Sequence, residues 1–588
     1  MPDVLRIANC SGFYGDRLSA AREMTEGGPI DVLTGDYLAE LTMALLWRSR
    51  TKDPDAGYAR TFLTQMEEVL GMCLDRGIKV VANAGGLNPA GLARRLEELI
   101  ASLGLEATVG RVDGDDIVAD LPRLQADGHE LRNVDTGESL VGRGVTPVTA
   151  NAYLGGRGVA AALELGADVV VTGRITDAAL VIGPAAWHFG WEWDQFDELA
   201  GALVAGHIIE CGTQATGGNY SFFREISGLG HPGFPLVEMH PDGSFVVTKH
   251  PGTGGEVSVG TVTAQLLYEI GGPRYANPDV TARFDTIDLE QMGPDRVGVS
   301  GVRGEPGPAS TKVALNYLGG FRNSVTFVLT GLDIEEKAAL ASDALWDAVG
   351  GRDRFSEAHV ELVRTDRDDA DTNSEASAHL RVTVKDPDPV KVGRRFSGAA
   401  VELALANYPG FHLTAPPGDA TPYAVYWPTL VPASEVPHRV TVGTSAVVIP
   451  ASPVPPYEEA TVEPIVGDPP GGATRRVPLG LVAGARSGDK GGNANIGVWV
   501  RDDAAFRWLY HALSADRLAE LLPELAGLQV ERFVFPNLLS VNFVIHRLLG
   551  EGVSSSVRSD PQAKSLGEWL RSRHVDVPEV LLPIGGVL

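Results

Sequence analysis

The chain has 588 residues, 44% hydrophobic and 21% charged, with a formal charge of −27. This composition excludes wholesale disorder, and the acidic surface argues against nucleic acid and anionic membranes, which attract clustered Lys and Arg. Three scattered cysteines (Cys10, Cys73, Cys211) make no disulfide framework, no signal region precedes the first strand-like run, and no stretch reaches the roughly 18 apolar residues of a membrane span. A cytoplasmic protein of several domains is expected.

Residues 1–285 read as strand–loop–helix units. The first apolar run, 5–9, leads into SGFYGD and an amphipathic stretch over 17–26. The run 30–34 leads through GDY into a helical stretch ending at Arg50. A third, 78–83, leads through AGGLNP into a helix starting near Pro89, and a fourth, 168–172, through GRITD into a helix from Ala178. Short continuous apolar runs alternating with helices predict α/β architecture: a Rossmann-like parallel sheet flanked by helices. Residues 286–448 change character. KVALNYLGG, SVTFVLTG, HVELVRT and HLRVTVKD read as strands and 335–348 and 391–406 as helices, an α+β arrangement. Residues 449–477 are a Pro-rich linker, and 478–588 form a compact unit of order β-β-α-β-β-α.

Ligands of an open parallel sheet bind outside the carboxyl ends of the strands. The loops there carry Asn9, Ser11 and Gly12; Asp36; Asn83, Gly85, Gly86 and Asn88; and Arg174 and Asp177. Any one loop reads equally well as a glycine turn with a helix cap, but four of this character facing one crevice point to a pocket. Arg174 suits a carboxylate or phosphate, which its planar fork grips in two bonds. Asp36 and Asp177 are candidate acid–base residues.

A second cluster, HIIECGTQATGGNYS, follows an apolar helix. Glu210 stands out because an acid at a helix C-terminus opposes the dipole. Gln214 and Asn219 are candidate binding residues, whereas Cys211 beside His207 reads as a buried, inert thiol. The third cluster, GARSGDKGGNANIGV, places Arg486, Ser487, Asp489, Lys490 and Asn493 among glycines and is expected to form an anion-binding loop. It is no phosphate loop of the usual kind, since Gly491 follows Lys490 and the next element reads as a strand. A β-hairpin connection is the alternative. HExxH, paired CxxC, GxSxG and GxGxxG patterns are absent, and DRDDADTN lacks calcium-loop spacing, so no metal and no prosthetic cofactor is expected.

Six strings (ANCSGFYGDR, DVLTGDYLAE, ANAGGLNP, VTGRITDAAL, IECGTQATGGNYS and RSGDKGGNANIGV) make the chain resemble the AtuA-like family of acyclic terpene utilisation over almost its full length. The resemblance implies a large N-terminal family domain to about residue 450 and a ferredoxin-like C-terminal domain. It also implies a context of acyclic terpene or branched-chain catabolism through acyl-CoA thioesters and a biotin carboxylase; no residue role is carried over from the family. The expectation is a catabolic enzyme (a lyase, hydratase or hydrolase) acting without redox chemistry on an acyl-CoA or carboxylic acid, with Arg486 and Lys490 on an anionic group. The alternative is a non-catalytic partner of an acyl-CoA carboxylase or lyase. A nucleotide-using transferase is a lesser reading. Homo-oligomerisation is expected on general grounds.

Overall fold

The computed structural model describes residues 3–450, 464 and 466–583; the part of the expected linker at 451–463 and 465 lies outside the described residues. The first strand is Leu5–Asn9, followed by Val32–Gly35, Lys79–Ala82, Val109–Asp113 and Val169–Thr172. They pair in parallel, Val169–Thr172 lying between Lys79–Ala82 and Val109–Asp113. The apolar run of Val169–Thr172 is buried throughout, as a strand covered on both faces should be.

This parallel core is the middle of an eleven-stranded mixed sheet. Beyond Leu5–Asn9, four strands continue it in antiparallel fashion: Pro235–Met239, Phe245–Lys249, Arg296–Ser300 and Asp288–Gly293. Beyond Val109–Asp113 come His438–Val442 and Ser445–Ile449, so strands from both sides of residue 285 share one sheet. Two helices, Glu40–Lys52 and Arg60–Arg76, fill the connection between the second and third strands; the latter was not anticipated, although Phe62, Met66, Val69, Leu70 and Cys73 give it a buried face of helical period. The helix Phe196–Ile209 is buried at every position from Leu199 onward. Gly206 lets it approach the backbone at Ala178, where a Cβ would lie 2.6 Å from the Ala178 Cα. That contact delivers the end of the helix to the ends of the parallel strands.

The chain divides into two compact units, one of 1–315, 426–553 and 562–588, the other of 316–425 and 554–561. The second unit is α+β. Its strands Glu357–Val363 and Ser377–Asp386 pair antiparallel, the latter also with the long strand Ser310–Thr330. The helices Ile334–Val349 and Arg394–Glu402 pack on them around Phe327, Leu345, Phe396 and Val382.

Within the first unit, the C-terminal region forms a four-stranded antiparallel sheet from Gly484–Lys490, Asn493–Trp499, Ser540–Ile545 and Val530–Phe535. Its helices are Asp503–Ala512, Ala515–Leu521 and Leu566–Ser572, and the expected order β-β-α-β-β-α is recognisable in it. The single helix expected over 504–522 is two, however, and the strand expected at 479–483 is a 3-10 turn at Leu479–Leu481. An unexpected antiparallel pair, Thr474–Pro478 with His574–Pro578, flanks the unit. The glycine-rich string is a hairpin and not an open loop. Gly484–Lys490 pairs with Asn493–Trp499 across the turn Gly491-Gly492, with Gly491 at φ +67°. Its backbone amides are thus largely committed to the ladder, which removes the expected cradle of free N–H groups. Asparagines on these strands grip the segment 267–271: Asn495 Nδ2 donates to the Leu267 carbonyl (2.7 Å) while its Oδ1 accepts the Glu269 N–H (2.9 Å), and Asn542 Nδ2 donates to the Gly271 carbonyl (2.8 Å). Among the described residues no helix is long and apolar enough to cross a membrane.

Candidate functional site

The loops after Leu5–Asn9, Val32–Gly35 and Val169–Thr172 and the end of the helix Phe196–Ile209 enclose one cavity of about 520 Å³, closed from another side by the C-terminal hairpin. Asp36, Arg174, Asp177, Glu210, Gln214 and Asn219 line it, with Gly12, Asp489 and Lys490. At Gly12 a Cβ would come within 2.7 Å of the Cys211 carbonyl carbon, so only glycine lets the first loop lie against the helix end.

Asp36 is buried at 4% exposure, and one of its oxygens is fully engaged. Oδ1 accepts the Leu38 N–H (3.0 Å) and Asn83 Nδ2 (2.6 Å), while Asn83 Oδ1 accepts the Tyr37 N–H (2.8 Å). Ser11 ties the first two loops together, its Oγ donating to the Asp36 carbonyl and its own N–H to Asn9 Oδ1. Asn9 Nδ2 donates in turn to the Glu210 carbonyl. Burial, then the charge of Asp177, push the Asp36 carboxyl well above the usual range, against the pull of Arg174 and the two donors.

Arg174 is 3% exposed. Its Nη1 donates to the Leu38 carbonyl (3.0 Å) and to Asp177 Oδ1 (3.1 Å), and its guanidinium lies 4.4 Å from the Tyr153 ring centroid. Behind it Asp115 accepts the Arg174 N–H (2.8 Å) and Asn151 Nδ2 (2.8 Å), fixing the backbone that carries the guanidinium. Glu210 is likewise raised well above the usual range, by burial first and then by Asp177 and Glu269, with Arg174 opposing. The half-buried Cys211 thiol, also in the cavity lining, is raised by desolvation, Glu210 and Glu269, which disfavours the thiolate a nucleophile needs.

The remaining expected residues stand behind the cavity or away from it. Asn9, Ser11 and Asn83 are buried supports for its lining. Gly85 and Gly86 form the turn that brings Asn88 to cap the helix Pro89–Ser102, its Oδ1 accepting the Gly91 N–H (2.9 Å). Arg486 is buried under the cavity floor, where it donates to Gln214 Oε1 and the Asn219 carbonyl and stacks 4.4 Å over the Tyr268 ring. Ser487 Oγ donates to the Ala563 carbonyl (2.7 Å) and accepts the Gly567 N–H, holding the start of the last helix. Asn493 bonds Asp135 Oδ1 (2.7 Å) and the Arg547 N–H. Of the hairpin residues, Asp489 and Lys490 reach the cavity.

The cavity also holds residues that the sequence did not single out. Lys312, Lys564, Glu269, Tyr268 and Tyr275 line it. Lys490 Nζ donates to the Glu269 carbonyl (3.1 Å), and Lys564 faces both the Tyr268 hydroxyl and the Glu269 carboxylate. Among the described residues no cluster of three or more His, Cys, Asp or Glu has a geometry that would hold a metal ion.

The family model for acyclic terpene utilisation family protein AtuA matches residues 5–442, and that for the AtuA ferredoxin-like domain matches 477–576. The chain belongs to the AtuA family. Every strand-end loop of the cavity lies in the AtuA domain, whereas Asp489, Lys490 and Lys564 come from the AtuA ferredoxin-like domain. No curated protein and no solved structure matches the chain.

Proposed function

We propose that this AtuA-family protein is an enzyme of acyclic terpene or branched-chain catabolism that moves protons, without redox chemistry, on a carboxylic acid or its CoA thioester. The observation that supports this reading best is the disposition of three carboxyl groups around one guanidinium. Asp36 and Glu210, both buried and both raised in pKa, share the cavity with the Arg174–Asp177 pair. A carboxyl whose ionisation is disfavoured inside a cleft is suited to act as a general acid, and its conjugate base to take a proton back.

On this reading Arg174 orients the carboxylate or thioester oxygen, and Asp177 sets the orientation of Arg174. Asp36 presents Oδ2 to the substrate because its other oxygen is committed to Leu38 and Asn83. Lys490, Lys564 and Lys312 hold the more distant anionic part of the substrate, offsetting the acidity of the whole chain. Hydration, C–C cleavage and thioester hydrolysis each need this combination of an anchored carbonyl and a positioned acid. General acid–base catalysis of this kind is worth roughly 10²–10⁴ in rate. We read the parallel core as Rossmann-like and place the protein in the cytoplasm, in keeping with three free cysteines.

A thermal-shift screen against CoA, short and branched acyl-CoA thioesters, their free acids and nucleotides tests the reading. At about a hundred times its dissociation constant a ligand stabilises the folded state by roughly 2.7 kcal/mol. A shift with one acid or thioester that disappears in Arg174→Ala is expected. A shift with nucleotides alone would replace this reading with nucleotide chemistry.

A further inference from the structure

Behind Glu210, one turn back on the same helix, lies a histidine for which neither the fold nor the anchoring of substrate gives a use. His207 is 1% exposed, and among the described residues neither ring nitrogen makes a hydrogen bond of good geometry, although the Leu266 backbone and the Glu210 carboxyl stand beside the ring. A buried imidazole without such bonds is costly and calls for a reason. Its ring is wedged between Tyr275 (centroids 5.0 Å apart) and Phe284 (5.5 Å). That wedge holds Nδ1 3.4 Å from Glu210 Oε1. The Glu210 carboxyl lines the cavity, so the histidine reaches the substrate only through it.

We propose that His207 is the positioning residue for Glu210, its Nδ1–H donating to the Glu210 carboxylate during the interval in which that group has given its proton to the substrate. This assignment rests on the acid–base reading of the cavity and sharpens it. In the first half of the cycle the Glu210 O–H bond breaks, the proton bonds to the substrate atom gaining electron density, and the electron pair stays on the Glu210 oxygen. The contact with Nδ1 then closes from 3.4 Å to a charge-assisted hydrogen bond. In the second half the carboxylate recovers a proton from water or product, and the imidazole remains neutral throughout.

Geometry and electrostatics agree on that neutrality. Burial lowers the His207 pKa to about 4, with Lys490 acting in the same sense and Glu269, Asp177 and the Leu266 backbone opposing. A neutral imidazole stabilises the carboxylate through one N–H without trapping it in a permanent ion pair. Asp177, Glu269, Arg174 and the neighbouring Cys211 and Tyr275 complete the titratable groups that act on the pair. Asp36, whose engaged oxygen already has two donors, needs no such residue.

The test is made on the full-length protein without substrate. Infrared difference spectra over a pH series give the titration of the protonated-carboxyl band that disappears in Glu210→Gln. With His207→Phe that titration is expected to move upward by at least one pH unit, because the carboxylate has lost its donor. His207→Asn, which places an amide N–H near the same position, is expected to restore at least half of the shift. A Glu210 titration unchanged in His207→Phe, with circular dichroism showing the variant folded, overturns the proposal and leaves the acid–base reading of the cavity standing. Asn failing to restore what Phe shifts overturns it also, since packing alone then explains the effect. Failure of the broader reading is a separate result: turnover that survives Asp36→Asn and Glu210→Gln.

Discussion

Asp115 supports Arg174 from behind and is 2% exposed, yet the groups that hydrogen-bond its carboxyl from elsewhere among the described residues are neutral donors, the Arg174 N–H and Asn151 Nδ2. Burial raises its pKa from 3.8 to about 7, against the effect of those hydrogen bonds. The folded state therefore holds a proton that the unfolded chain releases near pH 4. Stability is fully present below the unfolded pKa and falls as pH rises towards the folded one, by about 1.4 kcal/mol per pH unit. About 4 kcal/mol is lost in this way by pH 8, and less than half of that by pH 5. Asp115→Asn removes the titration while its amide oxygen accepts the same two hydrogens. With an unfolding entropy near 2.1 cal/mol/K per residue, a unit of several hundred residues moves by roughly one degree per kcal/mol. Calorimetry at the two pH values should therefore find the variant melting about 4 °C above wild type at pH 8, with less than half that gap at pH 5. An equal gap at both pH values, or none, would refute the reasoning, because it would mean that Asp115 is ionised in the folded protein.

Asp36→Asn carries the same sign, since Asp36 is also raised by burial: it should melt above wild type at neutral pH while turnover falls on the order of 10²-fold or more, measured on one preparation. Asn83→Ala withdraws one of the two donors on Asp36 Oδ1 and the acceptor of the Tyr37 N–H, so urea unfolding should register a loss of about 2–3 kcal/mol. Ser487→Ala breaks the bonds to Ala563 and Gly567 and should cost about 1–2 kcal/mol in the same assay; ligand affinity then changes only through Lys564, and direct binding measurements should find it within a few fold of wild type.

The parallel core was legible because its strands are short apolar runs punctuated by glycine and aspartate; the first was read at 5–9, where the structure places Leu5–Asn9. The strand-end rule likewise assigns Asp36, Arg174 and Asp177 to one crevice, and all three line the same cavity. The string GARSGDK misled for a physical reason: glycine has poor intrinsic strand propensity, and here pairing with Asn493–Trp499 overrides it. Lys312, Lys564 and Glu269 were invisible because nothing local marks them. Lys312 sits on a strand that reads as ordinary core, and Lys564 reaches the cavity through the docking of the C-terminal sheet. Glu269 takes φ +57° and donates its N–H to Asn495, a pairing of residues far apart in the chain. His207 stands out in the sequence only by its helical spacing from Cys211, and its 3.4 Å approach to Glu210 emerges from the fold.

The account stands on Asp36 and Glu210 as proton-transfer groups facing one substrate. Its most direct test is turnover of a panel of branched and straight acyl-CoA thioesters and their free acids, followed by mass spectrometry for wild type, Asp36→Asn and Glu210→Gln in parallel. The account predicts that wild type converts at least one member without any redox partner and that each variant is slower by on the order of 10²-fold or more while still binding it. Variants within twofold of wild type would contradict it, as would a wild-type protein that binds a member tightly and leaves it unchanged.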